Sequence, residues 1–211
     1  MRSREIQKFL SSITGRTMGE IDQRTRQLRS AMQITSGARG PRAPHMDEVE
    51  AGYHILSLAS RRVGDALDVA VALSKCKLVP HPDYPDLTAG FIKQDHGGEF
   101  IQVLLAEAIG TLSQIGFNVK YVEMDEGGNF AFIHMDRRSI KNIRFLFINE
   151  ETFGDKDGAT PSEIYKIVDE ESAGNRFVIS ANYIQSLMNK VKGESREAVS
   201  ASALGGSAAG E

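Results

Sequence analysis

The sequence predicts an α+β protein, with a mostly helical N-terminal domain followed by a small α+β domain on a three-stranded antiparallel sheet. Three observations lead there. Apolar residues recur at helical spacing from Ile6 to Met32. Two runs rich in β-branched and aromatic residues flank Asp125-Glu126-Gly127-Gly128, as in a hairpin. The proline-rich stretch Pro80-His81-Pro82-Asp83-Tyr84-Pro85 separates the two patterns.

Ile6, Phe9, Leu10 and Ile13 form one apolar stripe of a first helix, which Gly15 stops. Thr17 and Glu20 have the spacing of a capping box, so a second helix starts there. Met18, Ile21, Thr25, Leu28 and Met32 give it a buried face. The Gly/Pro-rich run 35–44 cannot be regular helix. Asp47 caps a third helix with Val49, Tyr53 and Leu56 inward, and Gly64 breaks that pattern. A further helix runs from Asp65 to Cys76. In the second half, Phe100 to Ile115 reads as a helix, and 117–124, 129–135 and 143–149 as three strands. Thr160-Pro161-Ser162-Glu163 opens a short helix, and Phe177–Ile179 suggests a short strand. Ser180 caps a last helix that stops at Gly193. The expected domains are 1–78, a linker 79–96, an effector or dimerisation domain 97–193, and a disordered tail 194–211 poor in large apolar groups.

No stretch approaches the length of an apolar membrane span, and the N-terminus lacks the apolar run of a secretory signal. Cys76 is the only cysteine, which excludes an intrachain disulfide and a cysteine zinc cluster. A cytoplasmic protein is expected. The charge is unevenly spread. Residues 1–45 carry nine Lys/Arg against three acids, a balance of +6, while 97–211 carry eleven bases against seventeen acids. A basic head on an acidic body fits a polyanionic partner for the head.

A helix-turn-helix needs a small residue on its first helix, a glycine in its turn and an apolar lock on its second helix. Ser11, Gly15 and Ile21 supply these at matching offsets. The buried stripe of the second helix leaves Gln23, Arg26, Gln27 and Ser30 pointing away. Gln and Arg are the side chains that read adenine and guanine edges in the major groove. Arg24 and Arg29 flank the stripe within reach of phosphates. The loop 36–45 adds Arg39 and Arg42 with no acid, a charge suited to the minor groove or the backbone. The expected DNA-binding set is therefore Arg16, Thr17, Gln23, Arg24, Arg26, Gln27, Arg29, Ser30, Arg39 and Arg42. The expected partners are double-stranded DNA and a second copy of the chain, with no membrane.

Residues 6–29 resemble the helix-turn-helix class. The run from Thr17 to about Ala59 is similar to helix-turn-helix, winged-helix-like regulators of phages and prophages. The residues behind that likeness are Arg26-x-Leu28-Arg29 and Thr35-x-Gly37-x-Arg39-Gly40-x-x-Ala43-Pro44-His45-Met46. The resemblance implies transcriptional control and covers about a quarter of the chain. The alternative is a phage-type adaptor whose basic N-terminus binds an acidic protein. No P-loop, dinucleotide fingerprint or nucleophile elbow occurs, so no enzyme, cofactor or metal is expected. His96 with Glu99 and the acidic run 155–158 lack a full ligand set. Tyr121, Phe130, Phe132, Phe145 and Phe147 could imitate an RNA-stacking sheet, but the neighbouring acids favour a packed face.

Overall fold

The computed structural model describes residues 1–35, 45–88, 104–111, 118–137, 140–153, 158–171 and 176–205. Helix α1 spans Ser3–Thr14 and buries Ile6 and Leu10. Gly15 ends it in the left-handed region at φ 69°, where its N–H donates to Ser11 O, a conformation glycine adopts without steric cost. Helix α2 spans Met18–Ser30. Thr17 accepts from Glu20 N–H while the Glu20 carboxylate accepts from Thr17 N–H at 2.9 Å. Its buried residues are Ile21, Arg24, Thr25 and Leu28. The ends of the expected apolar stripe differ from this pattern. Met18 is 38% exposed and Met32 is 89% exposed. The helix stops at Ser30 and Met32 turns to φ 57°, which carries its side chain off the stripe.

Helix α3 spans Glu48–Ser57 and is capped reciprocally by Asp47 and Glu50. It is buried on more than one side, through Ala51, His54, Ile55, Leu56 and Ser57. It packs against α2, α4 (Ala66–Ser74), α5 (Leu105–Thr111) and α8 (Ala181–Gly205). The contact with α5 is backbone to backbone. A Cβ on Gly52 would stand 2.6 Å from Ala106 O, and one on Gly110 would stand 2.9 Å from Glu48 O. Only glycine fits at either place.

The sheet has five strands, all antiparallel, in the order β1-β4-β3-β2-β5. They are β1 (Lys77–Leu78), β2 (Asn118–Asp125), β3 (Phe130–Arg137), β4 (Ile140–Ile148) and β5 (Arg176–Ser180). The expected three strands form the centre, and β1 and β5 add the edges. A two-residue strand carries no period of its own, so β1 is defined by its pairing with β4 and a bridge from Lys77 to Leu104. One sheet face places Val122, Ile133, Met135, Phe145 and Phe147 against the helices. The other face packs Phe130, Phe132 and Leu146 against Tyr165 and Val168 of α7 (Pro161–Glu171). A single turn, α6 (Glu150–Phe153), follows β4.

Three expectations change. The boundary between 1–78 and 97–193 is not a break in the core, because one buried cluster joins Ile6, Ile21, Ile55 and Leu73 to Ile109, Ile133, Phe145 and Leu187. The start of the expected linker is packed, with Val79 N–H donating to Leu146 O at 2.8 Å and His81 buried. The backbone of α8 continues through Gly193 to Gly205, so the expected tail is helical that far. Gly193 costs a helix about 1 kcal/mol, and the Ala- and Glu-rich residues after it are strong helix formers. The outer parts of the helix expected over 100–115 lie outside the described residues.

Candidate nucleic-acid interface

The α1–α2 pair is fixed by polar contacts along its seam. Gln7 Nε2 donates to Asp22 Oδ1 at 3.2 Å, Arg29 Nη2 donates to Ser3 Oγ, and Ser11 Oγ donates to Arg16 O at 2.7 Å. The pair is then clamped to the end of α3. Arg16 donates to Leu58 O at 2.8 Å and to Ser60 O at 3.1 Å. Arg24 donates to Ser60 O at 3.0 Å and to Ser57 O. The last carbonyls of a helix have no intrahelical donor and carry partial negative charge, so two guanidinium groups there satisfy both needs. Burial, reinforced by the nearby Arg16, pushes Arg24 down to about 10, still well above neutral pH.

This geometry corrects part of the expected DNA-binding set. Arg24 is 1% exposed and cannot reach a phosphate. Arg16 spends both terminal nitrogens on the carbonyls of Leu58 and Ser60, just past the end of α3. Thr17 is engaged as the α2 cap. Arg29 is half-buried on Ser3, and Gln27 is half-buried with its Oε1 unpaired in the interior. An amphipathic pattern marks which way Cβ points, but a long arginine can fold back into the interior and find carbonyls there.

Gln23, Arg26 and Ser30 are exposed on α2, as the helical spacing expected. Arg26 is 76% exposed and pairs with Asp22 at 2.7 Å, one turn away. On α1, Arg4 and Lys8 are also exposed. Ser3 and Gln7 face α2, and Arg4 and Lys8 lie one step further round α1 on its exposed side. The sequence carried this signal as an i, i+4 pair of cations opposite Ile6 and Leu10. Arg39 and Arg42 lie outside the described residues.

The outer sheet face holds a charged network in place of a stacking platform. Tyr121 stacks on His134 with centroids 4.1 Å apart, and His134 Nε2 lies 3.0 Å from Glu123 Oε2. Arg176 pairs with the same carboxylate at 3.2 Å, and Arg144 makes a bidentate pair with Asp169. Phe132, Phe145 and Phe147 are buried. Cys76 is buried, and burial pushes its thiol well above the usual range, which keeps it protonated. No group of three His, Cys, Asp or Glu among the described residues could hold a metal ion. His96, Glu99 and residues 155–157 lie outside the described residues. Among the described residues no helix is long and apolar enough to cross a membrane. No family model, no curated protein and no solved structure matches the chain.

Proposed function

We propose that the chain is a DNA-binding regulator that docks on a duplex through the solvent side of α1 and α2. What carries this reading is the exposed set Gln23, Arg26 and Ser30 on α2, with Arg4 and Lys8 exposed on α1. In it, Gln23 and Arg26 read base edges, and Arg4 and Lys8 contact phosphates. Arg39 and Arg42 add charge from the following loop. The buried arginines hold α2 rigid, which limits the entropy lost on docking. Releasing Arg26 from Asp22 costs little, because an exposed ion pair is worth about 0–1 kcal/mol.

The test is fluorescence anisotropy of the full chain on duplex fragments from around its own gene, across a salt series. Arg4→Ala and Lys8→Ala are each expected to flatten the slope of log affinity against log salt by about 0.9. Arg26→Ala is expected to cost about 1–3 kcal/mol and to relax preference at one base pair. A salt-independent or absent DNA signal, together with a nuclease-resistant complex with an acidic protein, would replace this reading with the adaptor.

A further inference from the structure

We propose that the cavity of about 510 Å³ between residues 81–84, the start of β4 and the first turn of α7 is a binding site for a small ring compound bearing an oxyanion, a carboxylate or a phosphate. Its volume lies in the range of small-molecule sites, roughly 300–1,000 Å³. This inference stands apart from the DNA reading.

The observation that points to a ligand is His81. It lines the cavity yet is only 8% exposed. Asp83 N–H donates to its Nδ1 at 3.1 Å, so the neutral ring carries its proton on Nε2. Among the described residues that Nε2–H has no hydrogen-bond partner, and the ring otherwise meets Tyr84, Phe145 and Tyr165. Burial lowers the ring's pKa, with Asp83 opposing and Arg144 assisting, so at neutral pH it offers a neutral N–H. The Nε2 atom is not enclosed by the protein, so an acceptor in the cavity can reach it.

The rest of the lining supplies further donors and two rings. Lys141 and Arg144 bring positive charge from β4, and Ser162 brings a hydroxyl from the first turn of α7. The Ser162 N–H at the start of that helix adds partial positive charge. Among the described residues Asp83 is the one carboxylate in the lining. Lys141 is held loosely, 3.5 Å from Asp136 and 63% exposed, and can swing to a ligand. Arg144 is held firmly by Asp169 and lies 4.9 Å over the Phe132 ring. Tyr165 spends its hydroxyl on the fold, accepting from Leu146 N–H at 3.0 Å and donating to Arg144 O at 3.3 Å. What it offers the cavity is its ring. His81 and Tyr84, with centroids 4.9 Å apart, extend that aromatic wall. Between Lys141 and Arg144, Asn142 sits at φ 57°, held by Asp136 and Lys120. Such a non-glycine position persists only where its surroundings fix it, and positions of this kind gather at functional sites.

The experiment titrates the isotope-labelled full chain with inorganic phosphate and, separately, phenyl phosphate, read by amide and histidine-ring NMR. Saturable shifts are expected at 81–84, 141–144 and 162–165, with the His81 Nε2–H resonance moving too. Phenyl phosphate is expected to bind more tightly than phosphate. Lys141→Ala and Ser162→Ala, both at exposed side chains, are each expected to weaken it by about ten-fold or more, the loss of one charge-assisted hydrogen bond. Thermal melting checks that both variants keep the fold. The proposal is overturned if neither probe gives a saturable shift at millimolar concentration, if the His81 ring signal stays still, if phosphate binds as tightly as phenyl phosphate, or if both variants bind as the parent chain does.

Discussion

Arg24 is the largest fully buried side chain among the described residues, and its role is to hold one helix on the end of another. Removing it takes the guanidinium donor from Ser57 O and one of two from Ser60 O, which keeps Arg16, and opens a void beside them. Arg24→Ala is expected to cost on the order of 3 kcal/mol, measured by urea unfolding, while leaving the salt slope of DNA binding unchanged. Lysine, with a single ammonium, cannot serve two carbonyls in the same geometry, so Arg24→Lys is expected to restore only part of the loss. His54 is the second residue whose environment makes a measurable demand. It is 1% exposed, its Nε2 has no partner, and burial with Arg29 nearby pushes it down to about 3 from 6.5. Below its unfolded pKa the unfolded chain takes up a proton that the folded chain refuses. Stability is therefore fully present above about 6.5 and falls by about 1.4 kcal/mol per pH unit toward 3. Burial shifts His81 and His134 the same way, so they add to the slope in its upper part. Unfolding free energies across that range are expected to show the slope, and His54→Leu is expected to reduce it by one proton's worth. An unchanged slope in that variant would falsify the assignment.

Two elements differ in what their glycines do, and substitution separates them with opposite signs. Gly52 and Gly110 bring α3 and α5 into backbone contact, so an added methyl meets carbonyl groups that cannot step aside. Gly52→Ala is expected to destabilise by about 1–3 kcal/mol despite alanine's better helix propensity. Gly193 has nothing within 4 Å of an added Cβ, and there the propensity gain acts alone. Gly193→Ala is expected to stabilise α8 by up to about 1 kcal/mol and to raise its helical signal in circular dichroism. A neutral result would mean that α8 ends at Gly193 in solution. The same contrast explains what was legible in the sequence. Caps written locally, Gly15, the Thr17–Glu20 box, Asp47 and Thr160, are read correctly because their chemistry lies within a few residues. The hairpin strands β2 and β3 are legible for the same reason. Strand β1 and the close approach at Gly52 depend on partners dozens of residues away, which no local period records. The candidate interface divides along that line. Exposed Gln23, Arg26 and Ser30 follow from helical phase, whereas Arg16 and Arg24 are redirected by carbonyls at and just past the end of α3 that the phase of α2 cannot report.

At the scale of the whole molecule, the decisive feature is the shared core. Helix α3 belongs by sequence to the N-terminal half, yet α5 and α8 of the C-terminal half cover it, and β1 pairs with β4 and bridges Leu104. Cutting the chain near residue 80 would leave Ile55, Leu56 and Leu73 facing water and β1 without a partner. A fragment with so much of its apolar surface uncovered has no independent core to offset the entropy of folding. The fragment 1–80 is therefore expected to show no cooperative unfolding. The full chain is expected to unfold in one transition by circular dichroism and by tyrosine fluorescence, since the five tyrosines lie in both halves and no tryptophan is present. Two separated transitions, or a cooperative melt of the fragment, would restore the two-domain division. The outcome also governs how DNA binding must be measured. If α2 is held by α3, and α3 by the C-terminal elements, then a shortened chain that fails to bind DNA says nothing about Gln23 and Arg26, and only substitutions in the full chain do.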